Sequence, residues 1–446
     1  MIEVNKIYCE PNLETMSRMP NCFIDSIVTD PPYELGFMGK KWDNSGIAYN
    51  IEMWKECLRV LKPGGYLLAF GGTRTSHRMI CAIEDAGFEI RDSIIWLYGS
   101  GFPKSLNIGK EVDKLQGNER ESLGTIKKHH IGGVNGNEGW NRPSHFEADG
   151  VTPKRTMEIT KGSSEFEGWG TALKPAHEPI CVARKPIEEK TVAQNVLKWG
   201  TGGINIDGCR IELTGNNNDP RLGGKGNWSS EKMAKNVYEG GYAGERVGSS
   251  ELGRFPANII LDPFTAGELD KQAPEAGAFA KVKSGHSGKS KGIYGDYAQR
   301  GDDGDTFYDD KGGCSRFFYI AKADKDERND GLYQFEDKFL AGSNQAKAEL
   351  KRGNTEFKGE GDGESGWLEV KATKNNHPTI KPKKLIQYLQ RLVTPKGGIT
   401  YDPFGGSGTS ALSAQNEGFQ WILSEISLEY CDIASKRIYN NGGLFV

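Results

Sequence analysis

The 446-residue chain has no apolar run near the roughly 18–20 residues that a membrane span needs, so no membrane partner is expected. Its eight cysteines are scattered without a C-x-x-C pair, which supports neither a zinc site nor a disulfide framework, and no metal is expected. No basic segment followed by an apolar one opens the chain, and a reduced, cytoplasmic setting fits. An excess of one charge is missing too: 57 Lys and Arg against 60 Asp and Glu leave a formal charge of −3. That balance argues against a histone-like binder, but not against an enzyme that meets nucleic acid along one face. One local patch qualifies, residues 371–396, with seven Lys or Arg and no acid; it reads either as a nucleic-acid strip or as a solvated helix face.

What the chain does have is strand and helix in alternation at both ends. Residues 23–29 read as a buried strand running into Asp30-Pro31-Pro32-Tyr33. Ile51, Trp54, Leu58 and Leu61 recur at helical spacing until Pro63-Gly64-Gly65 stops them. Residues 66–70 form a compact apolar strand, 76–86 a helix and 88–98 a longer strand. The pattern resumes late: a helix over 382–393, strand 399–401, helix 409–417, strand 421–424 and helix 428–439. Alternation of this kind calls for a parallel sheet with helices on its faces. Neither end has strands enough alone, so the two ends are expected to fold together.

Between them the texture changes. Nineteen of the 101 residues from Leu213 to Gly313 are glycine, far above the roughly 7% background, which points to loops rather than regular elements. Apolar pieces survive at 179–182, 255–261 and 317–320, the first a candidate for the main sheet, and 332–370 looks like a partly mobile linker. The organisation expected is therefore 1–185 and 375–446 as two halves of one α/β domain, with 186–374 as insertion and linker.

Gly405, Gly406 and Gly408 follow a strand and open a helix, where a backbone can approach a ligand and helix-terminal N–H groups point outward. Glu425 ends the next strand, a position from which a carboxylate can accept ribose hydroxyls. A phosphate loop would need Gly-Lys-Ser/Thr, which Gly408-Thr409-Ser410 lacks; Gly288-Lys289-Ser290 has Lys283 where the first glycine belongs and no strand before it. A nicotinamide fold would want G-x-G-x-x-G. Instead, Phe404-Gly405-Gly406-Ser407-Gly408 resembles the F-x-G-x-G loop of S-adenosylmethionine-dependent methyltransferases. The resemblance implies that Asp402 and the loop (Phe404, Gly405, Gly406, Gly408) hold the methionine end and Glu425 the ribose. Residues 376–382 resemble the segment that precedes this loop in the family, which implies Thr379 and Lys381 as contacts to the cofactor carboxylate and a structural role for His377.

An exocyclic amine of a base is a poor nucleophile because its lone pair is delocalised into the ring. A catalyst must hold the N–H groups with acceptors so that the nitrogen can pyramidalise. Asp30 supplies a carboxylate, Pro31 a backbone carbonyl, Pro31-Pro32 a stiff turn and Tyr33 a face for a flipped-out base. Residues 34–43 then read as a lid, with Phe37 or Trp42 either stacking or packing. Asp30 before the glycine loop is the order of the permuted (β) class of DNA amino-methyltransferases, and the chain resembles that family, phage or prophage members included, at its two motifs and more weakly between them. The resemblance implies an α/β fold, a Rossmann-like methyltransferase sheet assembled from both chain ends with a loop-rich central insertion. It implies methyl transfer from S-adenosylmethionine to adenine N6 in double-stranded DNA by base flipping, with Asp30, Pro31, Pro32 and Tyr33 catalytic. The alternatives are cytosine N4 with the same machinery, or a DNA-binding homologue that has lost turnover. Lys41, Trp42, Lys281, Lys283, Lys289 and Lys291 are candidate DNA contacts, the last four as a basic strip among glycines. The oligomeric state, a homodimer included, and a separate restriction nuclease as partner stay open.

Overall fold

The computed structural model describes residues 2–35, 41–101, 105–127, 156–212, 253–273, 313–321, 327, 332, 338–339, 356–358, 367–369, 372–373, 375 and 380–441. They fall into two units, Met1–Ile204 with Lys322–Val446, and Asn205–Ala321. In chain order the first unit begins with β1 (Lys6–Tyr8), β2 (Ile24–Thr29), β3 (Leu61–Phe70), β4 (Glu89–Leu97), a hairpin of β5 (Glu121–Lys127) and β6 (Thr156–Lys161), and β7 (His177–Arg184). The second unit contains β8 (Ile259–Leu261) and β9 (Tyr319–Ile320), which pair in parallel. The first unit resumes with β10 (Lys338–Phe339), β11 (Glu356–Lys358), β12 (Trp367–Glu369) and β13 (Ala372–Thr373), then β14 (Ile399–Asp402) and β15 (Gln420–Ser424). Two short antiparallel ladders, β10 with β13 and β11 with β12, occupy the stretch expected to be a linker.

The main sheet of the first unit runs β1-β15-β14-β2-β3-β7-β4. Strands from both chain ends interleave, as the shortage of strands at either end requires. β1, β15, β14, β2 and β3 are mutually parallel, but β7 is antiparallel to β3 and to β4, so the sheet is mixed rather than all parallel. The reason is the connection: Leu97 at the end of β4 pairs with His177 at the start of β7, so the chain re-enters at the edge it left and must run back. β3 begins five residues earlier than the Pro63-Gly64-Gly65 stop suggests. Its register against β2 slips between Ile24 and Ser26, and the proline and glycines sit in that irregularity.

Helices cover both faces, which the period of two along β15 makes plain. Ile422 joins a core with Met53, Trp54, Cys57 and Ile83 from the helices Ile51–Val60 and Ser76–Asp85. Its neighbours Trp421 and Leu423 point the other way, against Ala411, Leu412 and Ile438 of the helices Thr409–Glu417 and Leu428–Asn441. The amino-terminal part of the first unit runs to Ile204. The helix Val192–Trp199 belongs to it because buried Asn195 donates to the carbonyls of Pro63 (2.8 Å) and Thr201 (2.8 Å), bracing the irregular start of β3. Cys9 and Cys431 are joined as a disulfide, Cα–Cα 6.0 Å, against the expectation of none. The residues are 422 apart in sequence and meet because β1 pairs with β15, so no local spacing announces them. In the second unit, Asp262 caps the helix Pro263–Gln272 and Asp270 receives the N–H and hydroxyl of Ser315.

Candidate active site

β14 and β2 are parallel neighbours, with Thr400 opposite Ser26 and Tyr401 opposite Ile27. From β14 the chain proceeds through a helix to β15 on one side; from β2 it proceeds to β3 on the other. Such a divergence opens a crevice beyond the carboxyl ends of the strands, the place where open α/β sheets bind ligands. A cavity of about 1350 Å³ lies there, lined among others by Asp30, Tyr33, Glu178, Lys381, Phe404 and Glu425. The structure thus brings the Asp-Pro-Pro-Tyr turn and the glycine loop to one cavity.

On the glycine-loop side, Gly405 has no room for a side chain because a Cβ would run into Leu423, and Gly408 adopts φ +82° to start the helix Thr409–Glu417. Asp402 braces this loop: Oδ1 accepts from Thr29 Oγ1 (2.7 Å) and from the N–H of Phe404 (3.0 Å), and Oδ2 accepts from Ser410 Oγ (2.6 Å). Burial pushes its carboxyl up to about 6, with those three hydrogen bonds pulling the other way. Glu425 receives the N–H of Gly406 on Oε2 (2.9 Å) and of Ser427 on Oε1 (2.8 Å). Burial raises its carboxyl as well, against the backbone N–H groups of Ser427, Gly406 and Ile426. From behind, buried Arg437 donates to the carbonyl (2.6 Å) and hydroxyl (2.9 Å) of Ser407. Sequence reasoning missed Arg437; the signal was a charge four residues after Ile433, on the buried face of an otherwise amphipathic helix.

On the other side, Lys381 faces carboxylates of the protein itself. Its ammonium donates to Asp30 Oδ2 (2.6 Å) and stands 3.3 Å from Glu178 Oε2. The Tyr33 hydroxyl donates to the same Glu178 oxygen (2.8 Å). Burial raises the carboxyl of Asp30, the nearby Lys381 lowers it and Glu178 raises it further. Burial works to lower the Lys381 ammonium, yet its two carboxylate partners leave it above the ordinary lysine value. Burial, then the charges of Asp30 and Glu178, lift the Tyr33 phenol well above its usual range. Asp30 Oδ1 is buried without a hydrogen-bond partner. Glu178 was overlooked in the sequence, where it stands as one carboxylate ahead of the apolar run from Pro179.

The basic patch at 371–396 is not a free strip over its described part. Lys381 is inside the site, Arg391 makes a two-pronged pair with Glu417 (2.6 and 2.7 Å), and the helix Lys383–Val393 buries eight of its residues. Lys41 and Trp42 belong to the short turn Lys41–Asn44. Thr379, His377, Phe37, Lys281, Lys283, Lys289 and Lys291 lie outside the described residues. Among the described residues, no cluster of three His, Cys, Asp or Glu side chains is placed to hold a metal, and no helix is long and apolar enough to cross a membrane.

The chain is 45% identical over 64 residues to the orphan methyltransferase M.BamHII of Bacillus amyloliquefaciens, covering 14% of this chain and 24% of that protein. It is 31% identical over 116 residues to the type II methyltransferase M.HpaI of Haemophilus parainfluenzae, covering 25% and 37%. The matches thus span about a quarter to a third of these relatives' lengths. Among solved structures, the M1.HpyAVI–SAM complex aligns over 97% of this chain and 98% of its own at 12% identity, with a TM-score of 0.35. The DNA methylase family profile matches residues 24–201 and 299–436, and with both motifs inside those spans the chain belongs to the DNA methylase family, whose cofactor is S-adenosylmethionine.

Proposed function

We propose that this protein methylates an exocyclic amine of a base in double-stranded DNA, with adenine N6 as the acceptor. The observation that carries the reading is the buried, unpartnered oxygen of Asp30, in the cavity that the glycine loop and Glu425 also line. A buried acceptor left unpaired is costly, and an amine N–H is the donor that would satisfy it. Asp30 Oδ1 and the carbonyl of Pro31 hold the two amine hydrogens, and Tyr33 lies beside the base. Base flipping brings the amine to them, since a duplex keeps it stacked.

The residues present fit S-adenosylmethionine. Glu425 lines the cavity beside Gly405 and Gly406, where its carboxylate would accept the ribose hydroxyls. When bound, that cofactor supplies a methyl group made electrophilic by its cationic sulfur. Asp402 and Asp30 place negative charge along the cavity, which suits a cationic ligand. Arg437 and Asp402 keep the loop in shape, and Lys381 fixes the Asp30 carboxylate with one oxygen engaged and the other open. An aspartate at the first position of the tetrapeptide favours adenine over cytosine.

The test is incubation with unmethylated mixed-sequence DNA and S-adenosylmethionine, digestion to nucleosides and mass spectrometry. N6-methyladenine is expected. N4-methylcytosine would reverse the choice of base, and no methylated nucleoside despite calorimetric cofactor binding would refute the activity. Asp30→Ala is expected to abolish transfer while S-adenosylmethionine still binds; a fully active variant would remove Asp30 from the chemistry.

A further inference from the structure

Three charges meet at the base side of the cavity, Lys381 buried and Asp30 and Glu178 half-buried, and the methyl-transfer chemistry uses only one of them directly. Asp30 and Lys381 alone would make a neutral pair. Glu178, from the start of β7, adds a second carboxylate to the same ammonium and ties down the Tyr33 hydroxyl. The ammonium also stands 5.2 Å from the Tyr33 ring centre and 5.0 Å from that of Phe70, so it is held on all sides rather than swinging in solvent.

Resting on the methyl-transfer reading, the geometry points to Glu178 as a positioning residue that acts through Lys381 and Tyr33. It keeps the base site one negative charge in excess and holds Lys381 to a single oxygen of Asp30. The excess charge matters because the amine nitrogen becomes cationic as it gains the methyl group. In the step that follows, an N–H bond of that nitrogen breaks and an O–H bond forms at Asp30 Oδ1. The nitrogen loses its positive charge and Asp30 its negative one, and no other reactant is needed. A site of net charge −1 favours the cationic nitrogen and strengthens Asp30 as the acceptor; a neutral site does neither. Holding Lys381 between two carboxylates also keeps it from closing over Oδ1.

The titratable groups around Asp30 are Lys381, Glu178, Tyr33 and, one strand away, Asp402; Tyr98 lies near Glu178 and Lys381. Asp402 titrates in wild type and variants alike, so the difference between them isolates Glu178. Wild type, Glu178→Gln and Glu178→Asp are compared for kcat and KM between pH 4 and 9, with cofactor binding by calorimetry and melting curves as folding controls. For Glu178→Gln the expectation is a plateau kcat lower by about 100-fold, KM for S-adenosylmethionine within about twofold, and an acidic limb moved down by about one pH unit. Glu178→Asp retains the charge and is expected to keep the acidic limb of the wild type, even if its plateau falls. An unshifted limb with kcat within about twofold in a folded Glu178→Gln would overturn the assignment. So would a shifted limb in Glu178→Asp, which decides the matter should the glutamine variant not fold. Absence of methylated nucleoside with the wild type would refute the underlying activity instead.

Discussion

Three glycines around one helix separate backbone strain from crowding, and together they test whether the loop is built as described. Gly418, which ends the helix Thr409–Glu417, has φ +73° and open space where a Cβ would go. Gly405 has no positive φ, but a Cβ there would collide with Leu423, a fully buried core residue. Gly408 combines both: φ +82°, with a Cβ 2.9 Å from the Ala434 Cβ and 3.1 Å from its Cα. A left-handed backbone costs an L-residue about 1–2 kcal/mol, and overpacking a filled core costs about 1–3 kcal/mol. Gly418→Ala should therefore lose about 1–2 kcal/mol, Gly405→Ala about 1–3, and Gly408→Ala their sum, about 2–5. Denaturant unfolding reads all three, and calorimetry with S-adenosylmethionine separates loop from helix end. Gly405 lines the cavity and Gly418 does not, so only the former substitution should weaken binding, by about tenfold for each 1.4 kcal/mol that reaches the ligand. Equal losses at 408 and 418, or a neutral Gly405→Ala, would refute the packing account.

The buried Asp402 makes stability depend on pH in a direction opposite to that of a salt-bridged carboxylate. Its folded carboxyl lies at about 6 against an ordinary 3.8, so its contribution is fully present below about pH 4 and is lost as pH rises through 6. At neutral pH that is a deficit of about 3 kcal/mol at most. Asp402→Asn cannot ionise, so its stability relative to wild type should rise between pH 4 and 7; a flat difference in denaturant melts at pH 4.5 and 7.5 would show that the carboxyl is not desolvated. For the Cys9–Cys431 link, alkylation under denaturing conditions without reductant should label six of the eight cysteines, and all eight after reduction. Eight labels without reductant would remove the disulfide.

How much of this was legible in the sequence follows from the range of the forces involved. The strand before Asp30, the helix from Thr409 and the strand ending near Glu425 announce themselves because apolar periodicity and glycine placement are local. The reversed direction of β7 is not local: it follows from where a 79-residue excursion returns, and an apolar run has no arrow. The two charged residues expected at the cofactor are split by packing. Glu425 stays beside the glycine loop at a distance its spacing suggested, whereas Lys381, expected at the cofactor, is drawn to Asp30 and Glu178 by charges that lie 351 and 203 positions away. Glu178 and Arg437 carried no motif. Each is recognisable only as a charge interrupting an apolar face, and such a charge is informative once the partner is known to be across the sheet.

The two motifs stand at opposite ends of the chain, yet that separation has little physical consequence. What the chemistry needs is two parallel neighbouring strands with their carboxyl ends in register, and β14 and β2 supply it regardless of which is synthesised first. Thr29 donates to Asp402 across 373 positions of sequence, and the Lys381 ammonium donates to Asp30 across 351. These two bonds run in opposite senses, one from the strand before the Asp-Pro-Pro-Tyr turn to the strand before the glycine loop, and one from the segment upstream of that loop back to Asp30. Loss of either would leave a buried carboxylate short of a donor, which is costly in a low-dielectric crevice. The two halves of the site are therefore held in place by each other.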